Sequence, residues 1–226
     1  MRYNKNKYMK PLGKVKIKWS PEFAYAIGLI VTDGNLSPDK RHINFTTKDK
    51  ELAELFRSCL RISNKVGRKS RGYEKEKKYY CVQLGDVMFY EFLESIGLMP
   101  RKSKIMSKIK IPREFMFDFL RGHLDGDGTF HSYWDPRWES SFMFYTIFTS
   151  ASKDHIRWLR DEISRLLKIK GHITNGSKTR TFYQLKYAKR ESLQLLAKIY
   201  YDKFVVCLSR KRRKIERALA VEDKQL

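Results

Sequence analysis

An internal duplication most narrows the folds open to this chain. The phrase Ala26-Ile27-Gly28-Leu29-Ile30-Val31-Thr32-Asp33-Gly34 returns as Leu120-Arg121-Gly122-His123-Leu124-Asp125-Gly126-Asp127-Gly128. Each copy is an apolar, helix-length stretch ending in Asp-Gly five residues after a glycine, and Asp33 and Asp127 lie 94 residues apart. One Asp-Gly is an ordinary turn. Two in matched surroundings imply two related halves.

The order of elements around the phrases repeats too. Ser20-Pro21-Glu22 supplies an N-cap, a first-turn proline and a first-turn acid, predicting a helix to about Thr32. Alternation over Arg41 to Thr47 predicts a strand pair within 35–47. Leu52, Leu55, Phe56, Cys59 and Leu60 follow at amphipathic helical spacing, a second hairpin fits 66–84, and Asp86 opens a helix to Ile96. Beyond residue 111 the pattern returns. Pro112 leads a helix to Gly126, and 128–149 read as a longer hairpin. Ile156, Leu159, Ile163, Leu166 and Leu167 mark a helix, strands fall near 171–176 and 181–187, and a helix near 190–201 closes the half. Helix, hairpin, helix, hairpin, helix thus occurs twice, a duplication rather than a many-unit solenoid.

The expected division is a basic N-terminal arm, 1–19, with seven Lys or Arg and no acid; halves at 20–96 and 112–207; a basic linker, 97–111; and a basic C-terminal tail, 208–226. Phe45-Thr46-Thr47 matches Phe148-Thr149-Ser150 at an offset of 103, so the halves are related but not equivalent.

With 48 Lys and Arg against 25 Asp and Glu, the net charge is +23, which favours a polyanionic partner. Nucleic acid is favoured over membrane, since the longest apolar runs fall well short of the roughly 20 residues that cross a bilayer. No apolar h-region follows the first basic residues, so no secretory signal is read. Cys59, Cys81 and Cys207 are odd in number and lack zinc spacing, which points to an intracellular, reduced protein without a structural metal.

Both motif helices are apolar nearly all round and must be buried on several sides. Gly28, Gly122 and Gly126 remove side chains where another backbone can approach, so the two helices are expected to pack together. Asp33 and Asp127 then sit side by side at helix C-termini, where the macrodipole and mutual repulsion disfavour two carboxylates. A divalent cation with oxygen ligands compensates, and Mg²⁺ suits, binding through one or two carboxylates, waters and phosphate oxygens. Metal-assisted phosphodiester hydrolysis, one aspartate per strand, is the inferred chemistry.

These phrases resemble the LAGLIDADG motif of homing endonucleases, in the single-chain form with two motifs, over roughly residues 20–215. Leu98-Met99-Pro100-Arg101-Lys102-Ser103, Phe119-Leu120-Arg121-Gly122, Tyr200-Tyr201 and Leu208-Ser209-Arg210-Lys211 add to the likeness. The resemblance implies an α+β fold of two pseudo-symmetric αββαββα halves whose antiparallel sheets form a saddle-shaped DNA-binding surface. It also implies staggered cuts across the minor groove with short 3′ overhangs. Metal ligation maps onto Asp33 with the carbonyl of Thr32 and Asp127 with that of Gly126: two or three Mg²⁺ between the halves, Mn²⁺ as substitute, Ca²⁺ bound without turnover. Thr47 and Ser150 fit the polar strand-end positions of the active sites, and Lys186 or Lys189 fits the basic position in the second half. Leu84-Gly85-Asp86 offers no matching lysine in the first. Val31 stands where the second motif has Asp125, which is read as structural. An asymmetric enzyme with unequal strand cuts is expected.

A strand of about eight residues spans roughly 26 Å or about eight base pairs, so two halves cover on the order of 16 or more. Expected sheet-face contacts in the first half are Arg41, Asn44, Thr46, Arg68, Lys69, Arg71, Lys78, Tyr80 and Gln83. In the second they are Tyr133, Trp134, Arg137, Trp138, Ser140, Lys178, Arg180, Gln184 and Lys186. Trp134 and Trp138 alternatively pack a long loop, and His123 reads as a core histidine. The leading expectation is a monomeric, site-specific double-strand DNA endonuclease of the free-standing, intron-homing type, in a bacterial or archaeal cytoplasm or an organelle. The alternatives are a maturase bound to its host intron RNA and a DNA-binding regulator on a decayed nuclease scaffold.

Overall fold

The computed structural model describes residues 13–70, 76–176, 182–223 and 226. Its first half runs α1 (Pro21–Asp33), β1 (Gly34–Leu36), β2 (His42–Thr47), α2 (Lys50–Cys59), β3 (Val66–Lys69), β4 (Tyr79–Gly85) and α3 (Val87–Ser95). The second runs α4 (Met116–Gly126), β5 (Thr129–Trp134), β6 (Phe142–Ser150), α5 (Lys153–Leu167), β7 (His172–Asn175), β8 (Tyr183–Ala188) and α6 (Lys189–Ile199), and α7 (Ser209–Ala220) follows.

Each half holds one four-stranded antiparallel sheet, ordered β1-β2-β4-β3 and β5-β6-β8-β7. The registers superimpose: His42 pairs with Gly85 as Tyr145 pairs with Ala188, and Asn35 faces Asn44 as Thr129 faces Ile147. The offset rises from 94 to 103 between β5 and β6, so the second half's extra residues lie in that hairpin turn. One face of each sheet is covered by helices, with Ile43, Phe45, Val82 and Leu84 buried in the first and Phe144, Phe148, Leu185 and Tyr187 in the second. The other face is open and carries the alternate residues, as period-2 geometry requires.

Helix α1 starts where Ser20 Oγ accepts from Phe23 N at 3.1 Å and Pro21 fills the first turn. From Phe23 to Val31 every residue of it is buried, and α4 is buried from Phe119 to Asp125. The two helices approach to backbone contact. A Cβ on Gly28 would lie 2.3 Å from Phe119 O, one on Gly122 2.1 Å from Tyr25 O, and one on Gly126 2.0 Å from Thr32 Oγ1. Tyr25 OH adds a hydrogen bond to Asp125 Oδ2 at 2.8 Å across the same seam.

Two segments differ from their sequence reading. The basic tail folds as α7, burying Leu208, Ile215, Ala218 and Leu219 at helical spacing inside a charge-rich run. It docks on the first half, where Arg210 makes a two-pronged ion pair with Asp49 (2.9 and 2.7 Å) and Ser209 N donates to Glu51 (3.0 Å). The 97–111 linker is threaded through the fold, with Met106 and Ile109 in the core and Ser152 Oγ donating to Met106 O. Of the N-terminal arm, Lys14 N and Val15 N donate to Asp86 Oδ2 (2.6 and 2.8 Å), while Oδ1 of the same carboxylate caps α3 at Phe89 N. Residues 1–12 lie outside the described residues.

A methyl group at the helix seam has nowhere to go except by separating the halves. Gly122→Ala is expected to lower unfolding free energy by about 1–3 kcal/mol or more, read as a reduced midpoint in urea melts.

Candidate functional site

The seam between α1 and α4 ends at the two aspartates. Asp33 is the last residue of α1 and Asp127 follows the last residue of α4. Neither carboxylate has a hydrogen bond or ion pair among the described residues. Burial, then the charge of Asp127, pushes the Asp33 carboxyl up to about 7, with Lys211 and Lys102 pulling the other way. Asp127 is exposed at the mouth of its cavity, and partial desolvation of its carboxyl raises it, opposed by Lys102 and Lys211.

The two lysines are pseudo-symmetric partners that the sequence reading overlooks. Lys102, 5% exposed, sits in a 3-10 turn after Arg101, whose φ of 55° is left-handed. Its Nζ donates to Gly34 O at 2.5 Å. Lys211, in the first turn of α7, donates to Leu124 O (2.5 Å), Gly128 O (2.7 Å) and Asp125 O (2.8 Å), with Gly126 O at 3.3 Å. Gly34 and Gly128 are equivalent positions of the two motifs. Each ammonium therefore neutralises the carbonyl end of a motif helix while lying beside both acids. Burial lowers both to about 8 despite the neighbouring carboxylates. The signal for them was the repeated Arg-Lys of positions 101–102 and 210–211.

Asp125 shows why the motifs diverge. Its Oδ2 accepts from Tyr25 OH and, at 2.7 Å, from Leu208 N. Arg121, fully buried, donates to Val206 O and Ile199 O and pairs with Asp118 at 2.6 Å. These two side chains fix the segment that delivers Lys211. Ile27 and Val31, the equivalent residues of α1, are apolar and buried.

Two cavities open at the acids. One of about 500 Å³ is bordered by Thr32, Asp33, Asn35, Thr46, Lys69 and Lys102. The other, about 310 Å³, is bordered by Asp127, Thr129, Arg210, Lys211 and Lys214, and Gly126 borders both.

The remaining expected residues divide by face. Thr47 and Ser150 are buried, and their hydroxyls accept from Asp49 N (3.2 Å) and Ser152 N (3.1 Å), closing the turns into α2 and α5. Each hydroxyl keeps its own proton to donate, and Thr47 borders the cavity beside Asp33. Lys189 donates to Phe142 O and pairs with Glu222 at 2.7 Å, tying α6 to β6 and the end of α7. Lys186 does lie in the open-face row with Thr129 and Ile147, and Gln83 occupies the matching place in the first half. Asn44, Thr46, Lys69, Tyr133 and Gln184 also share the open faces by register. Arg68 and Tyr80 do not: they pair with each other on the helix side, near Lys50 and Arg57 of α2. Trp134 packs its ring on Phe142, 5.1 Å between centroids, also on the helix side. Arg41 precedes β2 and is exposed, and Lys78 pairs with Glu76. Arg137 forks onto Asp135 in the β5–β6 turn, where Ser140 is exposed and Trp138 is 69% exposed. Arg71, Lys178 and Arg180 lie outside the described residues. His123 is in the core, its Nε2 3.2 Å from Nε2 of His155, both held far toward neutral by burial.

Two sheets, a shared glycine seam and paired motif acids define a single chain of two pseudo-symmetric halves, and its fold is that of solved LAGLIDADG proteins. Residues 20–97 match the LAGLIDADG-like domain family. Among solved structures, the I-LtrWI LAGLIDADG homing endonuclease bound to target DNA superposes with a TM-score of 0.58 at 11% identity, over 89% of this chain and 90% of that one. I-DmoI in complex with DNA and Ca gives 0.54 at 16%, over 90% and 98%. Full-length WhiA from Thermatoga maritima gives 0.54 at 16%, covering 93% of this chain and 64% of that one. A 126-residue stretch is 23% identical to an A-type ATP synthase polypeptide of Methanopyrus kandleri, spanning 54% of this chain and 12% of that protein. No helix among the described residues is long and apolar enough to cross a membrane.

The raised Asp33 carboxyl makes metal-free stability pH-dependent. The folded protein holds that proton between about 4 and about 7, so ionisation costs stability progressively as pH rises through this window. Asp33→Asn is expected to match wild type near pH 4 and to exceed it by on the order of 1–2 kcal/mol, allowing for screening, above pH 7. Paired thermal melts in EDTA across this range measure the gap.

Proposed function

We propose that this chain is a metal-dependent, site-specific double-strand DNA endonuclease, acting as a monomer whose two halves grip one duplex. The observation that carries the reading is the pair of carboxylates at the end of the helix seam, without a hydrogen-bond partner among the described residues, Asp33 half-buried and Asp127 exposed, each beside a cavity and a buried lysine. A protein that only binds nucleic acid gains nothing from two acids there, since each lowers both stability and affinity for a polyanion.

The donor set fits a hard divalent cation. No cluster of three or more His, Cys, Asp or Glu stands among the described residues, so Asp33, Asp127 and the carbonyls of Thr32 and Gly126 would hold such a metal together with water and phosphate oxygens, the preference of Mg²⁺. When bound, such ions activate water and stabilise charge on the attacking and leaving oxygens. The structural neighbours include I-DmoI solved with DNA and Mn or Ca, in keeping with Mn²⁺ as substitute and Ca²⁺ as a non-turnover ligand. Because Gly126 O already faces Lys211 at 3.3 Å, the lysine holds this part of the site in shape before metal arrives. Lys102 and Lys211 supply fixed positive charge where the transferring phosphoryl group develops negative charge. The open sheet faces, with Asn44, Thr46, Lys69, Gln83, Tyr133, Gln184 and Lys186, form the DNA surface. We further propose the homing role, copying of a host intron through cuts that leave short 3′ overhangs.

Asp33→Asn and Asp127→Asn are expected to abolish double-strand cleavage in Mg²⁺ while specific binding persists; undiminished cutting by either variant refutes the assignment. Lys102→Met and Lys211→Met are expected to slow cleavage by about 10²-fold or more and, because Lys102 shares a cavity with Asp33 and Lys211 with Asp127 although each charge reaches both acids, to accumulate nicked circles on a supercoiled target. Affinity confined to structured RNA, with no cleavage of any duplex, overturns the nuclease reading in favour of a maturase.

A further inference from the structure

The two open sheet faces carry different chemistry at equivalent positions. In the first half the row beside the acid is Asn35, Asn44 and Gln83, three carboxamides in cross-strand register. The same row in the second half is Thr129, Ile147 and Lys186. One row further out, His42 is replaced by Tyr145, which faces His131 on β5, and beyond that Met143 faces Tyr133. The rings form a ladder: His131 and Tyr133 stack with centroids 5.4 Å apart and an interplanar angle of 26°, Tyr133 and Tyr145 at 6.4 Å and 7°. Met143, Tyr145 and Ile147 are all partly exposed on this face, while their neighbours Phe142, Phe144 and Phe148 fill the core behind it.

Carboxamides and apolar groups read base edges by different means. Asn and Gln pair with adenine through N6 and N7, whereas the one apolar group in the major groove is the thymine 5-methyl. An Ile or Met against cytosine N4 or guanine O6 strips water from a polar atom and returns no hydrogen bond. Against a thymine methyl it buries apolar surface.

Resting on the DNA-binding reading above, we infer that the halves recognise their half-sites by different chemistry. The first uses hydrogen bonds from Asn35, Asn44 and Gln83. The second uses apolar contact of Met143, Tyr145 and Ile147 with thymine methyls. The preferred duplex is therefore asymmetric, with a thymine-rich segment facing β5 and β6.

The test begins with selection of bound duplexes from a randomised library in Ca²⁺. The best binder is then resynthesised with uracil for thymine, or 7-deazaadenine for adenine, in one half-site at a time, and affinity is measured by fluorescence anisotropy. Uracil is expected to weaken binding about threefold per contacted methyl, mainly in one half-site, and 7-deazaadenine about three- to tenfold, mainly in the other, where three carboxamides stand against Gln184 of the opposite face. Ile147→Asn, which installs the first-half residue, and Ile147→Thr are expected to reduce the uracil penalty, marking that half-site as the one facing β6; a ratio of two affinities is unaffected by loss of folded protein. Uracil tolerated in both halves, or penalised equally in both, overturns the inference while leaving DNA binding intact. Retention of no duplex from the library overturns the DNA-binding reading and this inference with it.

Discussion

Everything in this molecule depends on two helices touching backbone to backbone. Gly28 against Phe119 and His123, and Gly122 against Tyr25, leave no room for a methyl group between the chains. That closeness brings the last turns of α1 and α4 together. Two carboxylates then meet at two negative helix ends, an arrangement electrostatics disfavours on both counts. The rest of the site is a response to that conflict.

Part of the response is built into the polypeptide. Lys102 and Lys211 anchor on carbonyls of the motif turns and lie beside both acids. They lower the cost of the acids without neutralising them by contact, since neither carboxylate has a hydrogen-bond partner among the described residues. The acids thus stay without direct partners among the described residues, which is why the proposed function assigns them an oxygen-loving ion. The site also differs between its halves: Asp125 and Arg121 fix the backbone leading to Lys211, whereas their first-half counterparts, Val31 and Ile27, are core residues.

Much of the fold was legible because it rests on local rules. The Ser20-Pro21 cap, the glycine spacing of the motif phrases and the period-2 alternation of β2 and β6 each have a short-range cause. Several face assignments were also within reach of period 2: Thr47 shares a face with Phe45, Tyr80 with Val82, and Trp134 with Phe142 through its cross-strand pairing. Tyr80 and Trp134 look like surface contacts only when residue type is weighed above parity, whereas Thr47, expected at a strand end in the active site, borders the cavity beside Asp33. Lys102 and Lys211 were hidden for a different reason. Among 48 basic residues the repeated Arg-Lys of 101–102 and 210–211 is a faint mark, shared with Arg68-Lys69, and burial of each lysine depends on where the segment after each half's last helix returns in space. The helix of 209–220 was masked likewise, its apolar stripe diluted by a run of five basic residues.

The placement of Lys211 also makes the two lysine anchors unequal in what they depend on. The helix seam, both sheets and Lys102 all lie before residue 200, whereas the second ammonium sits on α7, beyond both sheets in the chain. Only when α7 docks, and Arg210 meets Asp49 on the opposite half, does the second motif turn gain its ammonium and the helix clasp the N-terminal half. Loss of α7 therefore strips the second motif of its lysine and leaves that of the first in place.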